Sequence, residues 1–361
     1  MSKENNVVSQ VCSLNNLKSQ MLLKTIFNNI KLGKRLQLIR YNKKIKKILD
    51  KSIKDYKEYK KIILELIPKS NKNGKFINVS KENRQLFHIF FNNDIQEINR
   101  YEIGTEDCAK KIKIIIDKKI NSLGDLFKNI ECIEKINFYV FNNSTIEDMS
   151  SMFEGCASLK ELIFTKFCSE NVKDMRGMFK GCSLLEKLDL SNFNTCNVTH
   201  MDFMLEKCSL LKECNLANFD TRKVISMSGM FMQCSSLKNI NLIHFYTSNV
   251  VDMSGMFSEC FSLEELDLST FNTENVRYMN KMFYRCSSLI ELNLSNFNTA
   301  QVSTMDGMFY GCSSLTILNI ENFNTDNALF GEKMFYGCTS LNNLICYDQS
   351  IKAEFIYSNG F

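Results

Sequence analysis

Eight cysteines stand 26 residues apart in this chain: Cys156, Cys182, Cys208, Cys234, Cys260, Cys286, Cys312 and Cys338. Other residues keep the same phase. Leucines run from Leu159 to Leu341, phenylalanines from Phe167 to Phe323, valines from Val172 to Val302, and methionines from Met149 to Met305. A second methionine column runs from Met152 to Met334. An internal period of this length marks a stacked array, in which each unit buries its apolar face only against its neighbours. A single unit cannot fold alone.

Each unit has its own internal rhythm. Met149, Met152, Phe153, Cys156 and Leu159 are spaced i, i+3, i+4, i+7 and i+10, which predicts one face of a short helix. Leu159, Leu162 and Phe164 then shift to period two, which predicts a short strand. The Phe-Asn-Thr-x-Asn-Val stretch that follows is polar and turn-forming. Helix, strand and return loop, stacked, give an α/β architecture: a right-handed solenoid with a parallel sheet on one side and short helices on the other.

The array extends past its cysteines. Leu123, Leu126, Phe127, Ile130, Ile133, Ile136, Phe138, Phe141 and Ile146 fall on the columns when shifted by 26, so residues 122–147 read as a degenerate first coil and a cap. Upstream, Lys110–Ile116 adds a further edge strand. Downstream, Gly331 replaces Met and Gln349 replaces Phe, so 347–361 reads as a weak cap or fray.

Charge divides the chain. Residues 1–147 carry 29 Lys+Arg against 16 Asp+Glu, a net +13, whereas 148–361 carry 16 against 24, a net −8. Leu22, Leu23, Ile26, Phe27 and Ile30 form one apolar face, broken by Gly33 and continued by Leu36, Ile39, Ile45, Ile48, Leu49 and Ile53. Residues 17–67 therefore read as helices, with a net charge of +11. The predicted organisation is a flexible start (1–16), a basic helical region (17–95) and a connecting segment with an edge strand (96–121). The solenoid follows (122–355), as the degenerate coil and eight further coils, and then a tail (356–361). The start has no signal-peptide core and no run is apolar enough to span a membrane, so the expected compartment is the cytoplasm and the 15 cysteines are expected to be thiols.

The pattern MFxxCxxLxxLxL resembles leucine-rich repeats of the BspA-like class, and LSNFNTxNVxxMxxMFxxC is similar to the repeat of many bacterial lipoproteins and surface proteins and of protist proteins. The likeness covers about 122–345. It implies a solenoid that binds proteins without catalysis; in bacteria such proteins look like adhesins on the cell surface. Residues 22–49 faintly resemble an F-box, which implies an alternative: an intracellular adaptor docking a ubiquitin ligase through its helices and a substrate through its solenoid.

Strand positions that point away from the core are the candidate partner-binding face. One row is Asp189, Asn215, Asn241, Asp267, Asn293 and Asn319; beside it stand Glu213, Glu265 and Glu291. These line the expected concave face with acidic and amide groups, suited to a basic or polar protein. The cysteine column is expected to be structural, since it lacks the close Cys pairs or His partners of a zinc site. No nucleotide loop, metalloprotease or hydrolase motif occurs, so no enzyme, metal or cofactor is expected. The basic residues 17–67 suit an anionic partner or membrane surface; nucleic acid is not expected, because few aromatics interleave the charges.

Overall fold

The computed structural model describes residues 61–117, 120–141, 145–165, 167–328 and 333–359. The expected flexible start and helices over 17–60, the F-box-like stretch included, lie outside these residues. Residues 62–361 form one compact unit.

This unit begins as strand. Ile62, Leu64 and Leu66 alternate, and they form strand β1 (Ile62–Pro68) rather than the end of a helix. A two-residue strand β2 (Gly74–Lys75), a 3-10 turn (Lys81–Leu86) and β3 (Phe87–Phe91) follow, then the short β4 (Glu102–Ile103) and β5 (Ile112–Ile116). The helical expectation for 62–95 is thus corrected: period-two burial in Phe87–Phe91 and antiparallel pairing of both Ile62–Leu66 and Phe87–Phe91 with Ile112–Ile116 fix strands. The segment Lys110–Ile116 does hold a strand, but β5 is interior to its sheet, between β3 and β1.

Strand β6 (Ile133–Phe141) joins two kinds of structure. One edge pairs antiparallel with β1, Leu66 opposite Ile136 and Glu65 opposite Asn137. The other pairs parallel with β7 (Glu161–Phe164), Ile136 opposite Leu162, an offset of 26. The antiparallel strands β3, β5 and β1 therefore cover the open end of the array, supporting the degenerate coil in its capping task.

Beyond β7 the offset of 26 persists through every coil. Strands β8 (Lys187–Asp189) and β9 (Glu213–Asn215) pair in parallel, as do β10 (Glu291–Asn293), β11 (Ile317–Asn319) and β12 (Asn343–Ile345). A second ladder of parallel bridges links Ser122, Asp148, Asp174, His200, Ser226, Asp252, Tyr278 and Thr304 in succession.

The expected short helices are not formed among the described residues of the coils. In their place lies a tape of tight turns. Met152 N–H donates to Met149 O at 3.3 Å and Cys156 N–H to Phe153 O at 3.1 Å, while Ser151, Phe153 and Gly155 send their N–H groups to the next coil's Arg176, Met178 and Lys180. Ser151 and Gly155 have φ of 53° and 72°. A left-handed residue every fourth position cannot continue a right-handed helix, and half the donors are spent between coils. Turns of this length repeat close to the period of a helix, so the same apolar spacing serves both.

Inside, like stacks on like. Phe231, Phe257 and Phe283 are parallel rings with centroids 5.5 and 5.8 Å apart. Both methionine columns are buried among the described residues. A hidden hydroxyl ladder closes the loop side: Thr247 Oγ1 donates to Asn272 O at 2.7 Å and accepts from Asn272 N–H at 2.8 Å, and Thr195, Thr221, Thr273 and Thr299 repeat this.

The far end does not fray. Helix α1 (Gln349–Asn359) crosses the expected boundary at 355, buries Ile351 and sets Phe355 edge-on to Phe335 at 5.6 Å. Asp348 Oδ1 accepts from Ile351 N–H at 3.0 Å, capping the helix, while its Oδ2 accepts from Thr325 Oγ1 at 2.8 Å and so terminates the hydroxyl ladder.

One left-handed position is unusual. Gly177, Gly229, Gly255 and Gly307 occupy it with φ near 58–60°, but coil 199–224 places Phe203 there at φ 55°. The Phe203 ring lies over Gly229, where a Cβ would meet its Cδ1 at 2.5 Å; at Gly255 the nearest contact would be 3.7 Å. Gly255→Ala is expected to cost about 1–2 kcal/mol, the left-handed penalty alone. Gly229→Ala should cost more, and Phe203→Gly should erase the difference. Chemical denaturation of the parent and the two alanine variants, each with and without Phe203→Gly, checks this; equal costs at 229 and 255 in the Phe203 background would refute the contact.

Candidate binding face

The parallel register places the candidate residues on one sheet face. Lys187 stands opposite Glu213, Asp189 opposite Asn215, and Asn293 opposite Asn319. Asn241, Glu265 and Asp267 occupy the same columns in the two coils between β9 and β10, where the ladder is not closed into strands. All nine are exposed except Asn319, which is half-buried.

The Asp/Asn row has a local occupation. Asp189 Oδ1 accepts the N–H of Ser191 at 3.0 Å, Asn215 that of Ala217 at 3.2 Å, and Asn241 that of Ile243 at 3.1 Å. Asp267, Asn293 and Asn319 do the same to Ser269, Ser295 and Glu321 at 2.9, 3.0 and 3.1 Å. Each side chain bends its own strand into the following turn. The Ser269 backbone N–H, and then its hydroxyl, hold the Asp267 carboxyl below the usual carboxylate range. This row shapes the face first, and can offer a partner only its remaining oxygen or amide.

The glutamate row differs along its length. Glu161 pairs with Lys135 at 2.8 Å and Glu213 with Lys187 at 2.7 Å. In the next column Lys160–Glu134, Lys212–Glu186 and Lys238–Glu264 pair at 3.2, 2.9 and 2.8 Å. No ion pair engages Glu265 or Glu291 among the described residues. With Asp267 they give the face an uncompensated acidic stretch over 265–291, exposed and therefore screened by salt.

Apolar residues interrupt the polar columns of this face. Ile163 and Ile345 replace Asp/Asn in the first row, and Tyr139, Ile243 and Tyr347 stand in the column two residues on. Ile243 is 55% and Tyr347 70% exposed. Exposed tyrosine beside polar residues is a common composition of protein interfaces. The signal was present in the sequence, as departures from each column's usual residue.

The cysteine column lies inside. All eight thiols are buried, and each Sγ–H donates to the carbonyl of the preceding coil, from Cys156 to Phe127 O at 2.9 Å through Cys338 to Phe309 O at 3.0 Å. Burial pushes the thiols of Cys156, Cys208 and Cys260 up to about 12. Among the described residues no group of three or more His, Cys, Asp or Glu is placed to hold a metal ion, and no helix is long and apolar enough to cross a membrane.

No curated protein sequence matches this chain. A family model described as "Mycoplasma protein of unknown function, DUF285" matches residues 121–214, 209–293 and 287–354. Among solved structures, a leucine-rich repeat protein from Bacteroides ovatus is 18% identical, with 64% of this chain and 65% of that one aligned at a TM-score of 0.38. The chain thus spans just under two thirds of that protein. A leucine-rich repeat protein of T. pallidum is 18% identical over 63% of this chain and 89% of that one, at a TM-score of 0.34. A leucine-rich cell surface protein from Faecalibacterium prausnitzii is 14% identical over 78% of this chain and 96% of that one, at 0.28.

Proposed function

This chain belongs to the DUF285 family, whose matches run through the coils from 121 to 354, and on that premise we propose that its solenoid is a non-catalytic scaffold for a protein partner. Its coils are leucine-rich repeats of the BspA-like class. The partner is held on the concave sheet face, by the acidic stretch Glu265, Asp267 and Glu291 together with the exposed Ile243 and Tyr347. The observation that carries this reading is the contrast along the glutamate row. Glu161 and Glu213 are each tied to a lysine one coil away, whereas Glu265 and Glu291, in the same row, engage no ion pair among the described residues. Complementary charge sets partner choice and encounter rate, and tyrosine supplies contact area at small entropic cost.

A basic segment of a partner fits this surface. Affinity capture with the full chain, repeated with Glu265→Lys/Glu291→Lys, tests it. Both side chains are exposed, so the variant should keep its circular dichroism spectrum and melting curve. The expected result is loss of a partner that the parent chain retains at moderate salt. An unchanged set of captured proteins would overturn the sheet-face reading.

A further inference from the structure

Lysines of the solenoid are paired as a rule. Lys128, Lys135, Lys160, Lys173, Lys180, Lys187, Lys212 and Lys238 each lie within 3.2 Å of a glutamate. One coil breaks the rule on the turn face, away from the sheet. Lys281 and Arg285 are exposed, and no ion pair engages either among the described residues. Both stand over one ring instead, 5.6 and 5.4 Å from the centroid of Tyr284. Glu259, one coil earlier in the Arg285 column, is taken up by Gln233 Nε2 at 3.1 Å.

The backbone makes this placement unusual. Lys281 and Arg285 have φ of 57° and 56°, and the next coil uses Gly307 and Gly311 at these two positions. A long side chain in the left-handed region is disfavoured relative to glycine. This coil thus carries cations at both positions where glycine would be the relaxed choice.

Tyrosines extend the patch along the array. Tyr284, Tyr310 and Tyr336 stack on successive coils with centroids 4.9 and 5.3 Å apart. Tyr336 is 53% exposed, and Arg277 and Lys333 are exposed nearby in sequence. The middle ring spends both faces on its neighbours, so no base can insert between the tyrosines, and what they offer outward is electropositive ring edge and hydroxyl. Arginine and tyrosine are among the residues most enriched where protein interfaces concentrate their affinity.

We propose that this tyrosine- and cation-lined stripe, coils 277–337 on the turn face, is a docking surface for an acidic segment of a partner protein. It is distinct from the acidic sheet face and carries the opposite charge, so the two surfaces select different partners. Arg285 offers a planar fork to a carboxylate, Lys281 a second positive charge, and the tyrosine hydroxyls donate along the row.

A fluorescent oligo-glutamate peptide with a photoreactive end group, added to the full chain, tests the proposal through the positions of its crosslinks. Crosslinks are expected within 277–337, falling about tenfold in Lys281→Glu/Arg285→Glu and weakening as salt rises. The variant should fold, since Glu259 already occupies the left-handed position of the Arg285 column at φ 60°; its melting curve is measured alongside. Tyr310→Phe, which keeps the stack and removes one hydroxyl, should reduce the crosslinks while leaving the melt unchanged. Glu265→Lys/Glu291→Lys should leave them intact, separating this surface from the sheet face. Crosslinks found only outside 277–337, or unaltered by charge reversal, would overturn the proposal. So would oligothymidylate displacing the peptide from these coils at concentrations below the peptide's own, which would assign the stripe to nucleic acid.

Discussion

Raised in pH under reductant, the solenoid is expected to unfold at about pH 9.5–10, steeply and well before its backbone chemistry suffers. The cause lies in the cysteine column. Burial pushes the thiols of Cys156, Cys208 and Cys260 up to about 12, and raises Cys182, Cys234 and Cys286 likewise. In Cys312 a side-chain hydrogen bond shared with Cys338 leads and burial follows, both raising the thiol. An unfolded thiol titrates near 8.5. Below that pH both states keep their protons and the column contributes its full stability. Above it the unfolded chain releases protons that the folded chain retains, so stability falls until pH reaches the folded values.

Each pH unit beyond 8.5 costs ~1.4 kcal/mol per thiol. For these seven thiols the slope approaches roughly 10 kcal/mol per pH unit, against a typical total stability of about 5–15 kcal/mol. Circular dichroism across pH 8–12 reads the transition, and return to pH 7.5 should restore the fold. Cys234→Ala should make the loss of stability with pH shallower by one thiol. A chain still folded at pH 11.5, or a slope indifferent to Cys234→Ala, would mean that the column does not control the alkaline transition.

The sequence displayed some physics better than other physics. The offset of 26 was legible because stacking forces each side chain over its own equivalent, and the buried columns are the same in every coil. The turn tape carries a helical spacing because Met149, Met152, Phe153 and Cys156 recur at 3 and 4 residues in either geometry. The φ values of Ser151 and Gly155 and the N–H bonds to the next coil separate the two, and serine gives no hint of a left-handed backbone. Ile62–Pro68 was absorbed into the upstream basic helices because IILELIP is a short apolar run without a decisive period. Its partner β5 lies far along the chain, and only the pairing Leu64–Ile114 resolves it. On the sheet face the exposed columns were legible, whereas the use of Asp189 and its equivalents as turn formers was not, because alternation reports which way a side chain points and not what it bonds. Lys281 and Arg285 are invisible as a pair in the sequence, for their meaning rests on side-chain pairing: the neighbouring Glu259 is taken up by Gln233 instead.

Phe257→Ala should be among the most costly single truncations in the middle of the array. Phe257 has no solvent exposure and lies parallel to Phe231 at 5.5 Å and to Phe283 at 5.8 Å. Losing a buried phenylalanine costs about 3–5 kcal/mol, the transfer of the ring plus the cavity left behind, and each aromatic pair adds ~0.5–1.5 kcal/mol. Collapse cannot fill the gap, because the coils on both sides are held by backbone bonds such as Phe231 N–H to Met256 O and Phe257 N–H to Met282 O, each 2.9 Å. The chain itself supplies the control. Leu205 occupies this column one coil before Phe231 and is fully buried, so the array tolerates leucine there. Phe257→Leu keeps most of the volume and should cost under about 2 kcal/mol. Because stability in a stacked array is a sum over neighbours, the alanine variant should also split the denaturation curve, the two flanking blocks unfolding with smaller slopes than the intact array. An unchanged midpoint for Phe257→Ala, or equal losses for alanine and leucine, would show that ring stacking along the column is not what binds one coil to the next.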